Sequence, residues 1–367
     1  LLDSPGWWRR KERPEPHFAA SLHGDNPAPH IGWVPDRCMQ TRKPRPLLIS
    51  GSTGTLGRAF ARLCMQRGIA FQLLSRQEMD IASPESVERA LERFQPWAVI
   101  NAAGYVRVDD AETDAERCFR ENALGPEVLA TACAERGVRL VTFSSDLVFG
   151  DGQRSPFRES SPVQPLNVYG RSKVEAERRV LERLPSALVV RTGAFFGPWD
   201  EYNFVTLALS ALARGERFAA ADDVVVSPTY VPDLVHTCLD LLIDEEQGVW
   251  HLTNAGEVTW AEFARQVARS AGLDPQRVEG RPLASFGWTA ARPRYSALAS
   301  ERGQVMAPLT NALERYLVED EIKPTQRVSG GGRVACAVCG GDSDASHGDG
   351  RCGLHRERRD GGVAAGG

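Results

Sequence analysis

Residues 46–67 read PLLISGSTGTLGRAFARLCMQR, in which a short apolar strand, a glycine-rich turn and a helical pattern follow one another directly. This order is typical of the phosphate-binding unit of a dinucleotide-binding α/β fold. Gly51 permits the tight turn, Gly54 lets the backbone approach a pyrophosphate, and Gly57 lets the helix pack closely on the strand. The free amides and the dipole at the helix start favour an anion there. Further cofactor contacts expected from this turn are Thr53, Thr55 and Leu56.

Short apolar runs continue to alternate with helical patterns along the chain. This alternation predicts a Rossmann-type doubly wound parallel sheet, with a smaller carboxy-terminal substrate-binding region. Ser83 followed by Pro84, and Thr259 followed by Glu262, are typical helix starts. The predicted strands are Leu47–Ser50, Phe71–Ser75, Ala98–Asn101, Leu140–Ser144, Leu188–Arg191 and Val249–Thr253.

Composition divides the chain into three zones. Residues 1–43 are rich in Pro, Trp, Arg and His, and we interpret them as an irregular linker or the remnant of an upstream domain. Residues 44–322 form the predicted domain, with a cofactor-binding part over about 44–193 plus later segments and a substrate-binding part mainly from 194 on. Residues 323–367 are Gly-rich with few large apolar side chains, which predicts a disordered tail.

The overall composition excludes several classes of protein. The 367 residues are 42% hydrophobic and 25% charged, which is enough to bury a large core. A net charge of −4 argues against a nucleic-acid partner. No apolar run approaches the ~18 residues of a membrane span, and no signal peptide is visible. Singly scattered cysteines are typical of a reduced compartment, so we expect a cytoplasmic protein.

The tail contains one pattern that suggests a metal. Cys336 and Cys339, followed by Cys352 and His355, have the spacing of a four-ligand zinc site. Their glycine-rich surroundings supply no strand or helix to hold the ligands, so a plain disordered tail is the alternative. We expect no metal at the active site; magnesium is compatible with the sequence, but no residue pattern indicates it.

A proton-transfer set follows in the middle of the chain. Tyr169 and Lys173 are four residues apart in NVYGRSKVEAE (167–177), a helical segment, so their side chains leave the same face. Ser145 precedes them at the end of the fourth strand. We expect Tyr169 to protonate a developing alkoxide, Lys173 to lower the pKa of the phenol and hold the nicotinamide ribose, and Ser145 to orient the carbonyl.

The ends of two other strands indicate how the cofactor lies. Ala102, Ala103 and Gly104 follow the third strand and would let a flat cofactor rest against the backbone. The second strand ends in Ser75 and Arg76 without the acidic residue that selects NAD. Arg76 could pair with a 2′-phosphate, which favours NADPH and leaves NADH as the alternative.

Several strings together resemble the dTDP-4-dehydrorhamnose reductase family of extended short-chain dehydrogenases/reductases, over about residues 45–320. The resemblance implies nicotinamide-dependent reduction of the 4-keto group of a nucleotide-linked deoxysugar, with Ser145, Tyr169 and Lys173 as catalytic residues. The strings are GSTGTLG (51–57), VINAAGYVRVDDAE (99–112), FSSDLVFGDG (143–152), PLNVYGRSKVEAE (165–177) and ARPRYSAL (291–298).

The same resemblance implies further contacts. Asp80 and Asn122 would bind the cofactor. The guanidinium fork of Arg292 suits a diphosphate, although an arginine that bridges the two halves of the fold is the alternative. Substrate contacts implied are Tyr105, Ser145, Asp146, Asn203, Phe204, Thr229 and Arg292.

Two positions depart from the family pattern. Ala194 stands in RTGAFFG (191–197) where family members often carry an aromatic ring expected to pack on the sugar. Phe195 or Phe196 would have to replace that ring, so the identity of the deoxysugar stays open. Asp110 replaces a lysine of the family, and no effect is predicted from it.

Alternative functions remain at this stage. A regulatory subunit of methionine adenosyltransferase resembles the same family and acts as a cofactor-holding scaffold. A nucleotide-sugar epimerase or dehydratase is another alternative, but dehydratases usually need a second acid where this chain has Leu147, after Asp146. We also expect a homodimer. The leader resembles the junction of bacterial fusions between a family 1 glycoside hydrolase and such a reductase, so the chain could be part of a larger fused polypeptide.

Overall fold

The computed structural model describes residues 44–321, and their centre is a six-stranded sheet in which every pair of neighbours is parallel. The strands of this sheet are β1 (Leu47–Ser50), β2 (Phe71–Leu74), β3 (Ala98–Asn101), β4 (Arg139–Phe143), β5 (Leu188–Arg191) and β10 (Gly248–His251). Their order in the sheet is β10-β5-β4-β3-β1-β2. All six predicted strands are confirmed, with ends that differ by at most two residues.

Helices cover both faces of the sheet, as the doubly wound prediction requires. α1 and α7 pack on one face, while α2, α4 and α5 pack on the other. The predicted starts are confirmed, because Ser83 Oγ accepts from the Ser86 amide (3.3 Å) and Thr259 Oγ1 accepts from the Glu262 amide (3.2 Å). The helices are α1 (Thr55–Arg67), α2 (Pro84–Phe94), α3 (Ala115–Phe119), α4 (Gly125–Arg136), α5 (Val168–Arg183), α6 (Phe204–Ala213), α7 (Val231–Ile243), α8 (Trp260–Ser270) and α9 (Leu309–Glu321).

The order of the strands determines where the ligand-binding crevice lies. From β1 the chain moves to β2 on one side of the sheet and then returns to β3 on the other side. The connections therefore diverge between β1 and β3 and leave a crevice at the carboxyl ends of these strands, where open α/β sheets bind their ligands. The glycine turn, the Ala102–Gly104 segment and Ser145 all follow strands at this edge.

The carboxy-terminal region has its own apolar core, to which α6, α8 and α9 contribute. The aromatic rings of Phe204, Trp260 and Phe263 pack together in it, and the rings of Phe204 and Phe263 are nearly parallel, with centres 5.7 Å apart. α7 and β10 return from this region to the main sheet. Short strand pairs complete it: β6 (Phe195–Phe196) with β9 (Thr229–Tyr230), β7 (Phe218–Ala221) with β12 (Val278–Arg281), and β8 (Val225–Val226) with β11 (Val258–Thr259).

The predicted leader (1–43), the predicted tail (323–367) and the zinc pattern in that tail lie outside the described residues. Within residues 44–321, no helix is both long and apolar enough to cross a membrane. The same part of the chain holds no group of three or more His, Cys, Asp or Glu side chains that could bind a metal ion. Its free cysteines are all buried: Cys64, Cys118, Cys133 and Cys238.

Candidate active site

The glycine turn between β1 and α1 forms a cradle in which neither Gly51 nor Gly57 has room for a side chain. Gly51 has a φ of +81°, and a Cβ there would lie 2.7 Å from the Ala102 carbonyl oxygen. A Cβ on Gly57 would lie 2.2 Å from the Gly51 carbonyl oxygen, so only glycine lets α1 rest on the turn. Gly54 is the N-cap of α1, whose first amides have no side-chain cap and whose first turn has no acidic residue. The cradle therefore fits a pyrophosphate.

The other predicted residues of the turn have different surroundings. Thr53 is exposed at the top of the turn, whereas Leu56 is buried against the sheet. The Thr55 hydroxyl donates to Asp200 (3.2 Å), which belongs to the loop after β6. The turn is thus tied through Thr55 to the carboxy-terminal region.

A buried hydrogen-bond chain beneath the cradle links β1, β3 and β4, and it was not predicted from the sequence. The Ser50 hydroxyl donates to Asn101 (2.9 Å), and the Asn101 amide donates to the Thr142 hydroxyl (3.2 Å). Ser50 Oγ also accepts from the Ala103 amide (3.2 Å), which fixes the segment that starts at Ala102. A polar residue near the end of each predicted strand was the available signal.

The three predicted catalytic residues come together where β4 meets α5. Ser145 is two residues beyond the end of β4 and lies close enough to the Tyr169 phenol to affect its pKa. Asn167 caps α5 by accepting from the Gly170 amide (2.7 Å), which places Tyr169 in the first turn of the helix. Lys173 follows one turn later, and its Nζ lies 5.7 Å from the centre of the Tyr169 ring.

The electrostatics of this set differ from the expectation. Burial, and then the charge of Asp146, raise the pKa of Tyr169, and the hydrogen bond with Ser145 offsets only part of the effect. Burial lowers the pKa of Lys173 to about 8. Lys173 Nζ donates to the Phe143 carbonyl (3.1 Å). Lys173 is not among the groups that shift the pKa of Tyr169, so its effect on the phenol stays a prediction.

Asp146 lies behind Ser145 and is buried. One carboxylate oxygen accepts from the Ser145 hydroxyl (2.9 Å), and the other accepts from the Ser296 hydroxyl (2.7 Å). A Cβ on Gly193 would lie 2.5 Å from the first of these oxygens, so the missing side chain there makes room for the carboxylate. Asp146, predicted to contact substrate, thus has both oxygens engaged by serines.

The loop after β3 is held by Asn122, which lies in a π-helical turn (Arg120–Leu124). Its Oδ1 accepts from the Tyr105 amide (2.8 Å), and its Nδ2 donates to the Tyr105 carbonyl (3.0 Å) and the Ser172 hydroxyl (3.0 Å). Gly104 is required beside it, since a Cβ there would lie 2.8 Å from the Asn122 Oδ1. Tyr105 is only 3% exposed. The Asn122 side chain therefore joins this loop to α5.

The side of the crevice next to Arg76, where the 2′-phosphate of the cofactor is expected, carries alternating charges. Arg76, just beyond β2, donates to Glu121 (2.8 Å), which also accepts from Arg117 (2.8 Å). The Arg76 side chain remains 52% exposed, while Glu121 is 12% exposed. Asp80 accepts from Arg120 (2.7 Å) beside them. Arg76 and Asp80 thus lie on the rim where the sequence placed them, each paired with a side chain of opposite charge.

Three predicted substrate residues have structural partners. Asn203 caps α6 by accepting from the Thr206 amide (3.1 Å). Phe204 is 3% exposed and packs against Trp260, with ring centres 4.7 Å apart. The Thr229 hydroxyl is buried against that of Thr192 (3.2 Å). The ring of Phe204 is a core residue, which corrects the expectation that it faces the cleft, because the α6 cap turns it inward.

Arg292 forms a buried bridge between the two halves of the fold. Its terminal nitrogens donate to both oxygens of Asp109 (3.0 and 2.6 Å), and Asp109 also accepts from the Ala290 amide (2.9 Å). The guanidinium lies 4.4 Å from the ring centre of Trp288, and the Arg292 side chain is 6% exposed. The geometry favours the bridging alternative over a diphosphate contact, because both terminal nitrogens of the guanidinium already donate to Asp109.

Neither neighbouring phenylalanine supplies the ring that Ala194 lacks. Phe196 is 1% exposed and packs against Tyr230 in the carboxy-terminal core. Phe195 packs against the core beneath the main sheet. Ala194 itself has a φ of +48°, which is unusual for a residue other than glycine. The prediction that Phe195 or Phe196 replaces the missing ring is therefore wrong, because β6 directs both rings into apolar cores.

Sequence reasoning also missed a buried ion pair beside Lys173. Glu177, one turn after Lys173, accepts from Nε (2.8 Å) and Nη2 (2.7 Å) of Arg191 at the end of β5. The Ser144 hydroxyl also donates to Glu177. The two charged side chains are 8% and 6% exposed. Arg191, as a charged residue ending an apolar strand, was the available signal.

Comparison with known proteins assigns the family. The model of the family described as RmlD substrate binding domain matches residues 45–320. The dTDP-4-dehydrorhamnose reductase of Mycobacterium tuberculosis is 36% identical, with 72% of this chain and 88% of that protein covered. The dTDP-4-keto-6-deoxy-D-glucose reductase of Streptomyces niveus is 33% identical, with 69% and 88% covered.

A solved structure supports the same assignment. The dTDP-4-dehydrorhamnose reductase of Bacillus anthracis, in complex with NADP, matches with a TM-score of 0.72 at 28% identity, and the match covers 76% of this chain and 100% of that one. Because the match covers the whole of that chain, the two proteins share one fold. The chain belongs to the RmlD substrate binding domain family, that is, to the dTDP-4-dehydrorhamnose reductases among the sugar-nucleotide oxidoreductases.

Proposed function

We propose that the chain reduces the 4-keto group of a nucleotide-linked deoxysugar, in a reaction of the dTDP-4-dehydrorhamnose to dTDP-L-rhamnose type. One observation supports the proposal most directly. Ser145, Tyr169 and Lys173 lie close together at the crevice, beside the glycine cradle where the first amides of α1 have no side-chain cap. Relatives whose names state this reaction or a similar one are 33–36% identical. Each of these three residues then has a separate task.

Tyr169 delivers the proton. A nicotinamide cofactor, when bound, would supply the hydride to C4 of the sugar. The carbonyl oxygen then becomes an alkoxide, takes the phenol proton, and leaves a phenolate on Tyr169. The high pKa of Tyr169 keeps the phenol protonated and ready to donate. The Ser145 hydroxyl holds the phenol in place, and the ammonium of Lys173 favours the phenolate as it forms.

The cofactor assignment rests on the cradle and on the rim beside it. The cradle of Gly51, Gly54 and Gly57 would hold the pyrophosphate, and Arg76 would hold the 2′-phosphate of NADPH. The B. anthracis relative is solved with NADP. We therefore propose NADPH as the preferred cofactor, with NADH as the alternative.

A panel of nucleotide-linked 4-keto sugars, assayed by loss of NADPH absorbance, tests the activity and identifies the sugar. The named relatives act on different deoxysugars, and Ala194 leaves the usual ring position open, so the panel should include several. Turnover on at least one is expected. Binding of NADPH without turnover on any sugar would favour the scaffold alternative.

Arg76→Ala is expected to lower the preference for NADPH over NADH about tenfold, because a charged hydrogen bond to the 2′-phosphate is lost. Glu121→Gln is expected to raise the preference, because it removes the negative charge that competes with the 2′-phosphate for Arg76. Dissociation constants for both cofactors and the ratio of their kcat/KM values measure the effect. Arg214→Ala, an exposed arginine paired with Glu216, is the control. An unchanged ratio in both rim variants would exclude Arg76 from cofactor selection.

Turnover is expected to fall as the pH rises through about 8, because burial lowers the pKa of Lys173 to about 8. Below that pH the amine is protonated and carries the charge that favours the phenolate; above it the charge is lost. The pH profile of kcat with a saturating sugar measures the effect. In Lys173→Arg the guanidinium stays charged, so any remaining activity should lack this fall. A flat profile through this range in the wild type would contradict the assignment.

Other sequence-based expectations stay predictions. They are the homodimer, the fusion to a further domain, a contribution from magnesium and the cytoplasmic location. Size-exclusion chromatography with light scattering on the full chain measures its molar mass and so tests whether it is a homodimer.

A further inference from the structure

The segment from Ala290 to Leu298 crosses from the carboxy-terminal region to the catalytic residues. Arg292 is bonded to Asp109, and Ser227 Oγ accepts from the Leu298 amide (3.1 Å). Between these anchors, the Ser296 hydroxyl reaches Asp146, 150 residues away in the chain (2.7 Å). Ser296 is 2% exposed. The segment therefore places one hydroxyl, held from both sides, against the carboxylate next to the catalytic serine.

The Asp146 carboxylate receives one hydroxyl from each half of the fold. Ser296 donates to one oxygen and Ser145 donates to the other (2.9 Å). The Asp146 amide donates to the Thr192 carbonyl (3.0 Å), which fixes the backbone of the same residue. The Ser145 proton is directed at Asp146, while the Ser145 oxygen accepts from the Leu147 amide (3.1 Å). The direction of the Ser145 hydroxyl thus depends on Asp146.

We propose that Ser296 is a positioning residue of the reaction, which holds the Asp146 carboxylate and through it sets the direction of the Ser145 hydroxyl beside Tyr169. The inference rests on the proposed reduction. It also changes the task of Asp146, which acts through Ser145 and does not contact the sugar. Ser145 is then oriented only when the carboxy-terminal region is packed against the rest of the fold, because Ser296 belongs to the segment that joins the two halves.

Ser296→Ala in the full chain tests this role. We expect kcat to fall about tenfold, the size of one hydrogen bond to a charged group. The KM for the sugar and the Kd for NADPH should stay within about threefold, since Ser296 donates to Asp146. The loss of a donor raises the pKa of a carboxylate, so the acid limb of the kcat profile should move to higher pH. Ser296→Thr keeps the hydroxyl and should restore most of kcat.

Ser227→Ala is the matched control. It removes a buried serine that holds the same segment through the Leu298 backbone, without touching Asp146. We expect it to lower stability while kcat and the pH profile stay as in the wild type. An equal loss of kcat in both variants would reduce Ser296 to a structural role and overturn the proposal. A rise in KM with unchanged kcat in Ser296→Ala would do the same, since it would indicate a substrate contact.

A crystal structure of Ser296→Ala supplies a readout that needs no turnover. We expect the carboxylate of Asp146 to rotate and the Ser145 hydroxyl to leave its present contact. An unmoved Ser145–Asp146 hydrogen bond would overturn the proposal. If the wild-type chain reduces none of the 4-keto sugars, the proposed function fails, and this structural result still decides whether Ser296 orients Ser145.

Discussion

Tyr169→Phe is expected to lower turnover on the preferred 4-keto sugar nucleotide by about 10²- to 10⁴-fold, the usual contribution of a positioned acid. The substitution removes the proton that Tyr169 would give to the alkoxide. It keeps the ring, which packs with Tyr105 and Val168. The Kd for NADPH and the thermal midpoint should therefore stay close to the wild-type values.

The measurement is kcat by loss of NADPH absorbance, with the Kd for NADPH obtained by fluorescence titration. Tyr316→Phe is the control, because it removes another buried phenol, one that bonds to Thr206 (2.9 Å) in the carboxy-terminal core. The control is expected to lose some stability and to keep its kcat. If Tyr169→Phe retained wild-type turnover, a different group would have to supply the proton.

Arg191→Leu is expected to lower the free energy of unfolding by about 3–5 kcal/mol, the typical loss when one partner of a buried ion pair is removed. The reason is the burial of Glu177, which is 8% exposed and would be left without its bidentate partner. Lys173, one turn away, is itself buried, so the unpaired carboxylate would also disturb the catalytic helix. Urea unfolding followed by circular dichroism measures the change.

Two further variants separate the effect of burial on stability from the effect of losing a charge. Arg178→Leu breaks exposed pairs with Glu175 and Glu182 on the same helix and should change stability little. Replacing both Arg191 and Glu177 by leucine removes the unpaired charge and should recover part of the loss. Equal losses in Arg191→Leu and Arg178→Leu would contradict the argument from burial.

The fold could be predicted because its signals are local. The glycine turn identifies the first strand and helix, since Gly51 has a positive φ and neither Gly51 nor Gly57 has room for a Cβ. Ser83 and Thr259 mark helix starts through bonds to amides three residues away. Each of these interactions involves residues that are close in the chain, so the sequence pattern contains it directly.

The candidate site could be predicted only in part. The four-residue spacing of Tyr169 and Lys173 placed both on one helix face, as found. The pKa of Tyr169 could not be foreseen, because it depends on burial and on Asp146, which lies outside that helix. The inward ring of Phe204 was missed for the same reason, since a family string does not state which face of a helix meets the core.

The sequence by itself determined the parallel sheet, the phosphate cradle and the order of the catalytic residues, because these follow from backbone preferences over a few positions. Only the tertiary structure decided the partners of the charged and polar side chains. Arg292 meets Asp109, 183 residues away, and Ser296 meets Asp146 at the centre of the site. Such pairs depend on how distant segments pack together. A buried charge takes whichever partner that packing brings within hydrogen-bond distance.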